Sequence, residues 1–373
     1  GGLAAPRAAV RGRRRGGAGM RIVHYYRDCA KQSGVTHAID QWQRATLDAG
    51  VDTLLLHNAL PVTRDLPHRA VRHLGRGRHT QIPVLAGQLR RGDVLVLHEG
   101  WVTSNQVAAV TARTAGAAYV VVPHGVYQPQ ILEDLKSPRL PRFGAEQTYL
   151  SHAGAIHTFY APEHTLAESV AGRTLPRLVA PTGFDVPEAR WVGGGGYLAW
   201  HGRYSPHHKG LDRLLRAYAL TSPDEVPPLR LHGPTYHDGQ ARVEALVGAL
   251  GLGGRVSVGA PIGGVEKDEF LCRSDGYVFP SRWESHPMSL LEALSFGAPV
   301  LMQNDLHASG WVLEAGAASG VDFDDAPTAA AELAALPSRS TGPVARRFVA
   351  HRLDWATILP PYLASLRALA EAR

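Results

Sequence analysis

YLAWHGRYSPHHKGLDRLLRAY (197–218) holds the fold in miniature. An apolar run, YLAWH, reads as a short buried strand ending at Gly202, and a polar loop then carries Arg203 and Lys209. Leu211, Leu214, Leu215 and Tyr218 follow at helical spacing and give a helix over 210–219 one buried face. Strand, loop and amphipathic helix make one βα unit. Repeated, such units build a parallel sheet covered by helices.

The unit recurs downstream. LRLHG (229–233), RVSVGA (255–260), GYVFP (276–280) and PVLMQ (299–303) read as strands, with helices over 239–250, 266–273 and 287–296. APTAAAELAAL (326–336) suggests a further helix, and 344–373 reads as helical with a break at Pro360-Pro361. Upstream, RIVHYY (21–26), DTLLLH (52–57), DVLVLH (93–98), AYVVVP (118–123), AIHTFY (155–160) and RLVAP (177–181) read as strands, with helices over 35–49 and 103–115. Near-continuous Val/Leu runs suit strands buried on both faces. Between the two series stands PEARWVGGGG (187–196), whose four glycines suit no helix or strand interior. The expected organisation is therefore an α/β chain of two Rossmann-like domains. They are 20–186 and 197–353, joined by a hinge at 187–196, with 354–373 crossing back to the first domain. No internal repeat is visible.

The 373 residues, 45% hydrophobic and 19% charged, suit two globular domains. No run approaches the ~20 apolar residues of a membrane span. The net charge of +6 has a local origin: residues 1–19 hold five arginines and no acid, and taking those five from 39 Lys and Arg leaves 34 against 33 acids. Nucleic acid is not an indicated partner. The leader lacks the apolar core of a secretory signal and reads as a disordered tail or as sequence ahead of a start at Met20, with organellar targeting the rarer alternative. Cys29 and Cys272 sit in no metal or disulfide spacing, which fits a reducing cytoplasm.

Chemistry concentrates after two strands. Ligands of open parallel sheets sit outside the carboxyl ends of strands, where Arg203 and Lys209 are placed to grip a diphosphate, one as a fork and one as a point charge. A solvated loop with surface cations is the plainer alternative. In PSRWESHPMSLLEALSFGAPV (280–300), Glu284 lies in a loop, a helix is expected to begin near Pro287, and Gly297 ends it. Amides from Met288 and Ser289 onward form a positive pole suited to phosphate, and Glu292, about one and a half turns in, leans back toward it. Carboxylates for a polyol beside positive poles for phosphate describe a sugar nucleotide; capping and salt-bridging carboxylates are the alternative.

In order and spacing, GR…KG (202–210), ESHPMSLLE (284–292) as E-x7-E and ALSFGAPV (293–300) resemble the family-4 retaining glycosyltransferases of GT-B fold. PHG (123–125), APTGFD (180–185), RVSVGA and Trp355 also fall in that family's order, so the likeness covers most of the chain. It implies two Rossmann-like domains facing across a cleft and transfer from a UDP- or GDP-sugar with retention, the donor being a substrate, with no cofactor or metal. Arg203 and Lys209 would bind and stabilise the diphosphate, Glu284 the hydroxyls of the transferred sugar and Glu292 the ribose. His124 would face the sugar from the front domain, and the loop around Gly34 would approach the phosphates. Gly202, Met288 and Ser289 complete the donor-binding set. Pro287 stands where the family often has Gly, so the amide contact there falls to Met288 or Ser289. The family's first-loop Gly-Gly is reduced to Ser33-Gly34-Val35.

Such a reaction needs charge stabilisation on the departing diphosphate rather than the paired carboxylates of a glycosidase. An epimerase or phosphorylase of the same fold, or a non-catalytic nucleotide-sugar-binding protein, are the competing readings. Asp322-Phe323-Asp324 matches a metal-binding D-x-D in letters and reads as a solvated loop. His207-His208 read as exposed loop residues. PHRAVRHLGRGRH (67–79) reads as a flexible basic loop, with an anionic acceptor or a peripheral membrane surface as its functional alternative. His98, Glu99 and Trp101, after the DVLVLH strand, are acceptor-side candidates. The acceptor itself, whether glycan, lipid or small molecule, is not written in any pattern here.

Overall fold

The computed structural model describes residues 19–29, 33–58, 65–75, 81–135 and 140–372. All but Gly19 of the leader, and residues 76–79 of the basic run, lie outside them. The first domain runs β1 (Arg21–Tyr25), α1 (Gly34–Asp48), β2 (Asp52–His57), β3 (His68–Ala70), β4 (His73–Leu74), β5 (Ile82–Pro83), β6 (Asp93–His98) and α2 (Thr103–Thr114). It continues with β7 (Ala118–Val122), α3 (Pro129–Leu135), α4 (Leu140–Ser151), β8 (Ala155–Thr158), α5 (Ala161–Ala171) and β9 (Arg177–Val179). Seven of these strands form a parallel sheet in the order β3-β2-β1-β6-β7-β8-β9. Every residue of β6 and β7 is buried, as their unbroken Val/Leu runs require.

The second domain runs β10 (Leu198–His201), α6 (Leu211–Ala219), β11 (Leu229–His232), α7 (Gly239–Ala249), β12 (Val256–Gly259), α8 (Gly264–Arg273) and β13 (Gly276–Phe279). Then come α9 (Met288–Phe296), β14 (Val300–Gln303), α10 (Ser309–Glu314), β15 (Ser319–Val321), α11 (Ala326–Ala335), α12 (Gly342–Arg352) and α13 (Trp355–Glu371). Its six strands are parallel in the order β12-β11-β10-β13-β14-β15. Both sheets thus reverse their winding direction beside their first strand, between β1 and β6 and between β10 and β13. Those two crevices are where the topology places ligands.

The glycine stretch is bonded to the second domain. Val192 and Gly193 donate their amides to the Cys272 carbonyl, Gly195 donates to Arg273, and the Trp191 indole donates to Ser274. A Cβ on Gly195 would lie 2.4 Å from the Arg273 oxygen, so the close approach requires glycine.

Three sequence expectations are corrected. The closing helix does not break at Pro360-Pro361: α13 runs through both, and the interruption falls at Leu353-Asp354, where Asp354 caps the new helix by accepting from the Ala356 amide. A helix tolerates proline at the loss of the i−4 bond it cannot make, and here Leu359 and Tyr362 on either side are buried against the first domain. Pro287 stands at the N-cap position of α9, one place before the first helical position, and makes no side-chain capping bond. Part of the basic run is not a loop, since β3 pairs with β2 at the sheet edge and β4 pairs with β5 in a hairpin.

Candidate functional site

The crevice between β10 and β13 is built around Gly210. Its φ of 64° is left-handed, and a Cβ there would lie 1.8 Å from the Pro280 carbonyl oxygen. The α6 start therefore presses against the loop leaving β13. Arg213 fastens that loop by donating to the Pro280 and Ser281 carbonyls, and Arg282 forks onto Asp212 at 2.6 and 3.0 Å. The result brings Lys209 and Glu284, far apart in sequence, to 2.5 Å between Nζ and Oε1. Burial raises the Glu284 pKa, but Lys209 and His208 outweigh it and hold the carboxyl below its ordinary range. His208 stacks on Trp283 at 4.6 Å and bonds its carbonyl, and burial drives its pKa down to about 4. The His208 part of the exposed-loop expectation is thus overturned by Trp283, while His207 is exposed. At α9 the Met288 amide donates to His286, so the unpaired pole begins at Ser289.

Opposite stands the β7 end. His124 takes a left-handed φ of 53°, unusual for a residue with a side chain. Gly125 beside it approaches Ser285, neighbour of Glu284, so closely that a Cβ would lie 3.0 Å from the serine Cβ. Buried Glu163, in the first turn of α5, clasps both sides: it accepts from the Gly125 amide at 2.9 Å, from the Phe159 amide at 3.2 Å and from the Ser285 hydroxyl at 2.5 Å. Burial raises its pKa. His286 packs on Phe159 and faces the Tyr160 hydroxyl, and burial lowers its pKa to about 3.

Residues 189–336 match the family model described as "Glycosyl transferases group 1". The arrangement as a whole is GT-B: two parallel-sheet α/β domains facing one another. Among solved structures the chain is similar to sucrose-phosphate synthase from Thermosynechococcus elongatus, with 19% identity, a TM-score of 0.77, and 95% of this chain and 100% of that one covered. It is also similar to Anabaena HepE in complex with UDP, at 15% identity and TM-score 0.73 over 94% and 100% of the two chains. A third likeness is to TarM, at 8% identity and TM-score 0.76 over 93% and 98%. At these identities the likeness is one of fold. No curated protein matches the chain in sequence.

Of the motif residues, Lys209 and Glu284 pair with one another, whereas Glu292 and Arg203 each find other partners. Glu292 bonds other residues than Lys209: its Oε2 is 2.7 Å from His201 Nε2 and its Oε1 2.6 Å from Lys267 Nζ. Burial opposes its ionisation, but the His201 bond and the Lys267 charge bring its pKa down to about 2. Arg203 lies over the Tyr236 ring at 4.2 Å, exposed and not bonded to Glu284. Gly202 donates to His232, and its carbonyl packs where a Cβ on Gly233 would sit. Gly34 opens α1, capped by Ser33 accepting from the Thr36 amide.

Of the two roles open to Trp101, stacking on a sugar or packing, its burial favours packing. It is 5% exposed, packs on Tyr127 and Phe143, and donates its indole N–H to Val126. His98 is likewise buried, beneath His124, whereas Glu99 is half-buried and accepts from Tyr26. Asp324 of the D-x-D letters pairs with Arg213 at 2.9 Å, and among the described residues no cluster of His, Cys, Asp and Glu is placed to hold a metal. Sequence reading missed His201, Lys267, Glu163 and Ser285. His201 alone carried a signal, as the last residue of the strand before the GR motif.

Proposed function

We propose that the chain is a glycosyltransferase that moves a sugar from a UDP- or GDP-linked donor to an acceptor with retention, meeting leaving-group charge with side chains and amides instead of a metal. The observation that carries this reading is the 2.5 Å Lys209–Glu284 pair at the sheet crevice, beside the α9 pole and inside the stretch that matches the group 1 model. Glu284, ionised and already oriented by Lys209, accepts hydrogen bonds from the sugar hydroxyls. Lys209 meets the distal phosphate, joined by the Ser289 amide and by Arg203 swinging off Tyr236. The positive field they form is fixed before the reaction and strengthens toward the charge that develops as the glycosyl bond opens. The diphosphate leaving one face of the sugar takes the acceptor's proton on that same face, which retains the configuration. Glu292, held by His201 and Lys267, receives the ribose hydroxyls. His124 is neutral near pH 7, since burial lowers its pKa to about 3, and so offers the sugar a hydrogen bond without charge.

The structural neighbours support the UDP-linked donor, as HepE is described with UDP and with UDP-glucose. Calorimetric titration with UDP, GDP and their sugars tests it. One nucleotide should bind to wild type and about tenfold or more weaker to Lys209→Ala. Equal affinity in both would remove Lys209 from the site.

A further inference from the structure

Beneath His124 the first domain contains a row of three imidazoles. His124 Nε2 lies 2.8 Å from His98 Nδ1, and His98 Nε2 lies 3.0 Å from His24 Nδ1. The rings stand 5.1 and 5.2 Å apart between centroids, and His98 and His24 are 3% and 2% exposed. Each residue ends or lines a neighbouring strand of one sheet, β1, β6 and the loop after β7. The backbone around His124 is equally fixed, with Gly125 bound by Glu163.

A neutral imidazole carries one N–H and one bare nitrogen. Each of the two N···N contacts requires one proton between its atoms. If His98 is neutral it donates to one neighbour and accepts from the other, so only two arrangements are allowed. Either all three rings carry hydrogen on Nδ1, or all three carry it on Nε2. In the first, His124 shows a donor at Nδ1; in the second, an acceptor. Burial, reinforced by the neighbouring rings, keeps His98 well below its usual pKa, so the neutral form is the relevant one.

We propose that His98 and His24 are positioning residues that jointly set the tautomer of His124, and hence whether it donates to or accepts from the sugar. The role of His124 rests on the function proposed above; the linkage of the three rings does not.

Nitrogen-15 NMR of histidine-labelled full chain, without ligand at neutral pH, reads each tautomer. The expected result is one shared tautomer in His24, His98 and His124. Opposite tautomers in any two of them would overturn the proposal. His24→Phe keeps an aromatic ring but frees His98, and should leave His124 as a mixture. His157, bonded to the Ala180 carbonyl outside the row, should be unmoved and so reports an intact fold. An unchanged His124 in a folded His24→Phe chain also overturns it. Should that variant fail to fold, the wild-type spectrum still decides. With donor turnover, His98→Phe should lower kcat by about tenfold or more with KM nearly unchanged, and His98→Gln, which can both donate and accept, should restore most of it. A chain that turned over no donor would sink the function while leaving the NMR result standing.

Discussion

Lys209 and Glu284 illustrate how much one residue pair can carry. Each is a common surface residue, and Gly210, Arg213 and Arg282 help to hold them together in a crevice. Replacing Lys209 by alanine is expected to lower donor turnover by about 10²–10³-fold, the scale seen when a preorganised charge-stabilising donor is removed. It should also let the Glu284 pKa rise, since the buried carboxylate loses its main counter-charge. Glu292 makes a pH-dependent contribution of definite sign. Its folded pKa, about 2, lies below the ordinary value of 4.5, so its stabilisation is complete above pH ~4.5 and is lost as pH falls toward 2. Glu292→Gln should therefore lower the melting temperature at pH 7 and lose that deficit progressively below pH ~4.5, as thermal unfolding across pH would record. Lys267 and His201 escaped sequence reading because their partner lies in another βα unit, and no local pattern encodes that distance.

At the scale of elements, strands were legible because burial on both faces writes continuous apolar runs. DTLLLH and DVLVLH have the bounds the sequence suggested. The row of histidines was not legible for a complementary reason. His24 sits in a strand position indistinguishable from ordinary core, His98 reads as a strand-end residue facing the cleft, and their contact depends on β1–β6 register. Trp101 could not be assigned from sequence because its burial comes from α4, which brings Phe143 and Glu146 over it. The Gly210 turn gives a sharp test. Gly210→Ala strains a left-handed backbone, by about 1–3 kcal/mol, and forces the β13 loop outward. It should lower the melting temperature and also weaken donor binding, measured by scanning fluorimetry with and without nucleotide. Ser285→Ala should spare the melting temperature more than the donor KM, because it removes the hydroxyl through which Glu163 joins the two domains.

The whole molecule depends on the chain's return. α13 leaves the second domain and lays Trp355 and Tyr362 against Trp42 of α1, with ring centroids 4.9 and 4.2 Å away. Trp42 also donates its indole N–H to Thr182 just before the glycine stretch. Trp42→Ala is thus expected to cost about 3–5 kcal/mol and to loosen the first domain's hold on α13, visible as faster hydrogen exchange in that helix. Two facing α/β domains were readable from alternating units, yet nothing local announced which loops meet between them. Gly125 against Ser285 is a product of both domains. The central claim, that this meeting point is a donor site for a nucleotide sugar, is tested most directly by turnover. Wild type, Arg203→Ala, Lys209→Ala and Glu284→Ala would be incubated with a panel of UDP- and GDP-sugars and the released nucleotide quantified. The account predicts that wild type consumes at least one donor and that Lys209→Ala and Glu284→Ala fall by about 10²-fold or more. Equal rates in all four proteins, whether equally active or equally inert, would contradict it.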